Sequence, residues 1–197
     1  MRVVLATRNA HKVAEVRRIL APYDVDLVSL SEFPDVGDVA ETGATFADNA
    51  LLKAGTVAAA TGLTALADDS GLAVAALNGM PGVLSARWCG RHGDDAANLQ
   101  LVLDQITDVP DERRGAAFVC AAAAVTPAGR QLVVEGRVEG VVIRAPRGSN
   151  GFGYDPIFVP AGEQRTTAEM TADEKDAISH RGKAFRLLAP RLTDHLD

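Results

Sequence analysis

The acids Asp68 and Asp69, followed by Ser70 and Gly71, come directly after the apolar run Ala65-Leu66-Ala67. Adjacent carboxylates repel, and each resists burial unless a cation compensates it. The apolar approach reads as a buried strand that delivers both acids at its end. Mg2+ takes carboxylate oxygens and substrate phosphates while keeping several waters. A carboxylate placed this way can bind such a metal or accept a proton from an attacking water. Gly71 lets the backbone turn closely beside a ligand. An Asx-turn closing a hairpin would explain the same residues without chemistry.

Three further polar clusters fall where elements begin or end. Thr7-Arg8-Asn9-Ala10-His11-Lys12 joins a β-branched run to a helix. A helix N-terminus offers N–H groups and a positive dipole end, which suit phosphate. Thr7 and Asn9 can donate hydrogen bonds, and Lys12 adds charge. The Walker spacing is absent, and a solvated strand-to-helix turn is the plain alternative. In "ETGATFADNALLKA", Glu41 precedes a helix that bears Asn49 and Lys53, four apart and so on one face. The last cluster has two pieces, "GSNGFGYDPIF" and "DEKDAISHRGKA". Phe152 and Tyr154 flank Gly153 and can form a platform for a base, since stacking accepts any π-face. Asp155 can orient a donor, whereas Phe158 is assigned to the core. Lys175 is a cation, and Ser179-His180-Arg181 opens the final helix with donors. No Gly-x-Ser-x-Gly elbow occurs, which disfavours a serine hydrolase. Phosphate donors, cations, carboxylates and an aromatic slot together describe a nucleotide site. Lys12, Lys53, Lys175 and Arg181 would offset a metal-bound triphosphate in a chain of net charge −6.

Positioning these groups requires a scaffold. A strand is expected at residues 3–6, then a helix with Val13, Val16, Ile19 and Leu20 on one face. A second strand is expected at 25–28. The next helix starts at Thr45 with Asp48 three residues on, a capping-box pattern, and ends at Gly62. Strands are expected at 63–67 and again at 72–75, and Asp94 or Asp95 caps a helix reaching Ile106. Residues 116–125 and 131–143 flank the turn "TPAGR" as a long hairpin. A short strand follows at 157–159, and the tail from Thr166 is helical, with Phe185, Leu188 and Leu192 facing one way. This order predicts an α/β fold with a mixed central sheet. A hairpin lobe inserted between early and late segments would create a cleft. The 197 residues allow one domain or a two-lobed one.

The acidic balance argues against a general nucleic-acid coat. The two cysteines, Cys89 and Cys120, cannot build a disulfide framework or a four-ligand zinc site. Cys120 lies in an apolar run and reads as core. The longest apolar run, residues 116–125, falls short of the roughly 20 residues of a membrane span. No targeting signal is visible, so a cytoplasmic, soluble protein is expected.

The sequence resembles the family of non-standard purine nucleoside triphosphate pyrophosphatases, the inosine/xanthosine triphosphate pyrophosphatases. The matching stretches are "VLATRNAHKVAEV", "ETGATFADNALLKA", "ALADDSGLAV", "PGVLSARW", "DVPDERRGAAF", "GFGYDPIF" and "TADEKDAISHRGKA", in family order over nearly the whole chain. The resemblance implies a single domain over residues 1–197, elongated and two-lobed. It places a cleft between the lobes and the middle hairpin in much of the second. It also implies a homodimer and Mg2+-dependent hydrolysis of dITP, ITP and XTP to monophosphate and pyrophosphate. By the same resemblance Thr7, Arg8, Asn9, Ala10, His11 and Lys12 form the phosphate-binding turn, and Lys53 contacts the triphosphate. Asp69 is the proton acceptor and metal-binding carboxylate, with Glu41 as a second metal ligand and Ser70 as a substrate contact. Phe152, Gly153, Tyr154 and Asp155 form the base-binding loop, and Lys175, His180 and Arg181 complete the substrate contacts. Asp68 has no assigned role.

One position departs from the family, which usually has a small residue, often Gly, where this chain has Arg8. A positive φ there would make Arg awkward. Otherwise Arg8 adds charge near the phosphates or points to solvent. Three rivals remain at the level of sequence: a pyrophosphatase for another nucleotide such as a modified pyrimidine triphosphate, a nucleotide-sensing module, and a structural α/β domain.

Overall fold

The computed structural model describes residues 1–196. Val3, Val4 and Leu5 of strand β1 (Arg2–Leu5) are fully buried, as a strand covered on both faces must be. β1 pairs in parallel with β2 (Asp26–Ser29) and with β3 (Thr64–Val74). β4 (Gly115–Val125) and β5 (Gln131–Val142) follow, and β6 (Phe158–Pro160) pairs antiparallel to β5. The strand order is β2-β1-β3-β4-β5-β6, so the sheet is mixed, as the sequence predicts. The helices are α1 (Ala10–Leu20), α2 (Phe46–Thr61), α3 (Asp95–Gln105), α4 (Ala172–Ile178) and α5 (His180–Leu196). Thr45 and Asp48 make the expected reciprocal capping box at the start of α2, and Gly62 closes that helix.

The chain divides into two compact units. The first comprises residues 1–69, 120–136 and the segment from 180 onward. Its strands alternate cleanly between two faces. Val3, Leu5, Leu66, Cys120, Ala122 and Ala124 share a core with Val16, Ile19 and Leu20 of α1 and with Phe185, Leu188 and Leu192 of α5. Val4, Ala65, Ala67, Ala121 and Ala123 share another with Ala50, Ala54 and Val57 of α2. Small side chains on this second face suit close packing of a helix on the sheet.

β3 differs from the expected pair of short strands. It runs unbroken from Thr64 to Val74, so Asp68 and Asp69 lie inside it and not at its end. Alternation gives the reason. Asp68 follows Leu66 onto the α1/α5 face, and Asp69 follows Ala67 onto the α2 face. Each face supplies a cation, so the strand need not stop to release the charges.

The second unit comprises residues 70–119 and 137–179. Its core includes Leu72, Val102, Ile106, Phe118, Val138, Ile157 and Phe158. Phe118 and Phe158 meet edge to face with centroids 4.6 Å apart, which places Phe158 in the core as expected. Buried Arg114 donates to the carbonyls of Ile106, Val142 and Ile143. Burial pushes its guanidinium pKa down, though not out of the charged state. The long hairpin is divided, with residues 120–136 in the first unit and the outer ends of β4 and β5 in the second. No helix among the described residues is long and apolar enough to cross a membrane.

Candidate active site

In the first unit α2 aims two side chains at Asp69. Lys53 Nζ lies 3.0 Å from Asp69 Oδ1 and 2.9 Å from Glu41 Oε1. Asn49 Nδ2 donates to Asp69 Oδ2 at 3.1 Å. The four-residue spacing of Asn49 and Lys53 therefore does put both on the face that meets the sheet. Burial alone would lower the Lys53 pKa, but Asp69, Asp68 and Glu41 outweigh it and push it up. Burial also pushes the Asp69 carboxyl up. Lys53 opposes that shift and Glu41 adds to it. The asymmetry has a simple cause: Lys53 faces three acids, whereas Asp69 has one adjacent ammonium and another acid nearby. A raised carboxyl pKa makes a better proton acceptor.

On the opposite face of β3, Asp68 is the hub of a second charge cluster. Arg181 Nη2 and Nε lie 3.0 and 3.2 Å from Asp68 Oδ2, and Lys12 Nζ lies 3.2 Å from the same oxygen. Arg181 also pairs with Glu15. Burial opposes the Arg181 charge, but Asp68 and Glu15 more than reverse it. Gly136 of β5 makes this seat possible. A Cβ there would strike the His180 carbonyl and the Ala184 nitrogen in the first turn of α5. His180 and Arg181 are both buried at that turn.

The turn from Thr7 to Lys12 is more self-contained than the sequence suggests. Asn9 caps α1, its Oδ1 accepting the N–H groups of His11 at 3.0 Å and Lys12 at 3.2 Å. The Asn9 N–H donates to Thr7 Oγ1. Two N–H groups of the helix start are thus consumed by the cap. The Thr7 hydroxyl hydrogen, the Asn9 amide nitrogen and Lys12 are left as the groups suited to phosphate. Arg8 avoids strain, because Asn78 is the only non-glycine residue with positive φ among those described. Its guanidinium reaches Asp38 Oδ1 at 2.6 Å and also donates to the Val36 carbonyl. Arg8 therefore fastens the phosphate-type turn to the loop that leads to Glu41.

The carboxylates fit a hard divalent cation. Lys12, Lys53 and Arg181 stand against Glu15, Glu41, Asp68 and Asp69, an excess of one carboxylate. A bare triphosphate would meet net negative charge here, and a divalent cation would reverse that balance. Asp69 and Glu41 already share one cation, the Lys53 ammonium. No group of three or more His, Cys, Asp or Glu suited to a metal occurs among the described residues. Asp69 and Glu41 are the carboxylates that could hold a divalent cation, with phosphate oxygens and water completing its shell.

In the second unit Asp155 organises the glycine-rich loop. It is 2% exposed. Its Oδ2 accepts Lys175 Nζ at 2.6 Å and the Phe152 N–H at 2.9 Å, while Oδ1 accepts the Thr167 hydroxyl at 2.8 Å. Lys175 Nζ also lies 4.8 Å from the Phe152 ring centroid. Gly153 N–H donates to Asp95 Oδ2 at 2.8 Å. Tyr154 is buried in the core and its hydroxyl donates to the Ser85 carbonyl at 2.8 Å. Burial pushes its phenol pKa well up. Tyr154 therefore anchors the loop, while Phe152 is half-buried with the Lys175 ammonium over its ring. Ser70 is half-buried, next to Asp69 in β3.

Glu15 and Thr167 join these clusters with no role expected from the sequence, and Asn49 with no more than its shared helix face. Asn49 had a usable signal, its place one turn before Lys53. Glu15 sits beside Val16 on an otherwise apolar face, which reads only as a charge out of pattern. Thr167 carried no signal.

Residues 3–191 match the Ham1 family. The chain is 61% identical over 191 residues to a dITP/XTP pyrophosphatase of Streptomyces coelicolor, covering 96% of each. Among solved structures it is similar to a nucleoside-triphosphatase, or dITP/XTP pyrophosphatase, from Mycobacterium abscessus. That likeness has a TM-score of 0.79 and 61% identity, over 96% of this chain and 100% of the other. It is also similar to a HAM1 protein from Coxiella burnetii, with a TM-score of 0.89 and 45% identity, over 98% and 99% of the two chains.

Proposed function

Because the chain belongs to the Ham1 family, we propose that it is a nucleoside triphosphate pyrophosphatase. Its substrates would be dITP, ITP and XTP, hydrolysed to monophosphate and pyrophosphate. The observation that carries this reading is Asp69, 5% exposed, with a raised pKa and held between Lys53 and Asn49. The two carboxylates distinguish it from a sensing module, since binding phosphate alone gains nothing from acids.

Water attacks the α-phosphorus, the bond to the β-phosphate bridging oxygen breaks, and pyrophosphate leaves. Asp69 takes the proton from the attacking water. Lys53 holds a phosphate oxygen and keeps Asp69 in place. Lys12, anchored on Asp68, and the Thr7 hydroxyl hold the phosphates further along. Asp69 and Glu41 are the carboxylates that would hold Mg2+, which supplies charge neutralisation on the phosphate oxygens when bound. Phe152 is the aromatic side chain that the glycine-rich loop of the second unit has to offer a purine. Donors at His180 and Arg181 read its 6-keto edge, and adenine, with a 6-amino donor, would leave them unpaired. Rejecting GTP needs an unfavourable contact with its 2-amino group.

The test is pyrophosphate release with Mg2+ across dITP, XTP, GTP, ATP and dUTP. dITP and XTP are expected to exceed the other three by about 100-fold or more in kcat/KM. Chelation with EDTA is expected to abolish release, and added Mg2+ to restore it. Equal turnover of all five would refute the purine specificity, and faster turnover of dUTP would favour a pyrimidine enzyme.

Asp155→Asn separates the loop's role from the chemistry. An amide has one acceptor oxygen for the three donors that Asp155 satisfies. KM for dITP is expected to rise about tenfold or more, with kcat changed by less than about threefold. A fall in kcat at constant KM would place Asp155 in the chemical step instead.

A further inference from the structure

We infer that Asn49 is a positioning residue that fixes the plane of the Asp69 carboxylate. The inference rests on the proposed hydrolysis, in which Asp69 accepts a proton. Asn49 is fully buried. Its Oδ1 accepts the Gly43 N–H at 2.7 Å. A backbone N–H only donates, so that contact settles which end of the amide is which. The Nδ2 must then face Asp69 Oδ2, 3.1 Å away.

Lys53 takes the other oxygen of the same carboxylate. An ammonium is a compact point charge with three rotatable donors on a flexible stem, so it attracts the carboxylate without setting its orientation. The planar amide, pinned at its far end by Gly43, does set it. One turn of α2 thus grips both oxygens of Asp69, one by charge and one by geometry.

Gly43 is part of the device. A Cβ there would stand 2.5 Å from Asp48 Cβ and 2.8 Å from Asn49 Oδ1. Only glycine brings its N–H to Asn49 without displacing it. Asp48 is held in turn by its capping box with Thr45. The path Gly43–Asn49–Asp69 therefore ties the loop carrying Glu41 to β3, alongside the Lys53 bridge between Glu41 and Asp69.

Placement at this level matters, since a 1 Å displacement of a reacting group can cost about 100-fold in rate. Asn49→Ala, Gly43→Ala and the double variant are compared with wild type for dITP turnover and thermal melting. Folded Asn49→Ala is expected to lose about 10- to 100-fold in kcat with KM for dITP within about threefold. Gly43→Ala is expected to show the same split with a smaller loss. The double variant is expected to be no slower than Asn49→Ala alone, because both act through one contact.

A folded Asn49→Ala enzyme with kcat within about twofold of wild type would overturn the inference, as would a rise in KM at constant kcat. Additive losses in the double variant would overturn it too. Should Asn49→Ala fail to fold, Gly43→Ala decides: the kcat-only loss supports the inference and wild-type kcat overturns it. A wild-type protein that releases no pyrophosphate from dITP or XTP would remove the functional reading and this inference together. An active wild type with an indifferent Asn49→Ala would remove the inference alone.

Discussion

Asp69→Asn is expected to lower kcat by about three orders of magnitude, the scale of a lost general base. The amide cannot take the proton of the attacking water, and it is a poorer ligand for a hard cation. Two opposing terms set its stability. Neutralising a carboxylate whose pKa burial has raised relieves a buried charge. Yet both neighbours of that carboxylate, Lys53 and Asn49, are donors. The new amide can accept from only one of them, and the mismatch costs about 1–3 kcal/mol. Lys53 keeps Glu41 as its partner. The variant should therefore remain folded and melt within about 10 °C of wild type. Pyrophosphate release and a thermal melt check both halves. A folded variant with near-wild-type turnover would rule Asp69 out as the proton acceptor.

Much of this site can be read from the sequence where a side chain's role is local. Thr45, Asp48 and Gly62 announce the ends of α2 because capping depends on residues three apart and on a helix terminus. The Asn49–Lys53 face follows from helical spacing alone. The partition of Asp68 and Asp69 follows from nothing local. Two adjacent acids look like a strand end until the partners on both faces are known. Those partners are Lys53 on one side and Arg181 on the other, 16 and 113 residues away. The same limit applies to Tyr154. Its aromatic type and glycine neighbours suggest a platform, but the core around its ring and the Ser85 carbonyl 69 residues away make it an anchor. Asn9 shows the reverse case. Its capping role was available from its type and place, and it reduces the number of N–H groups the turn can offer an anion.

Arg181→Met is expected to destabilise the first unit strongly. The guanidinium is 2% exposed and joins Asp68 of β3 to Glu15 of α1. Removing one partner of a buried ion pair leaves charge uncompensated and typically costs about 3–5 kcal/mol. For a chain of this length that lowers Tm by about 6–20 °C. Lys12 still faces Asp68, but at 18% side-chain exposure it is the more hydrated and weaker partner. Adding Asp68→Asn and Glu15→Gln removes the stranded charges without restoring the cation. That triple variant should recover much of the lost Tm, since a neutral network of similar volume tolerates burial. Turnover should stay low, because Lys12 has lost the carboxylate that holds it and the donors of Arg181 are gone. Melting curves and dITP turnover below the variant's Tm separate the two effects. Full recovery of both would mean that the cluster serves stability alone. Recovery of melting without turnover would mean that one buried network both closes the first unit and sets Lys12, the lysine proposed to hold phosphate.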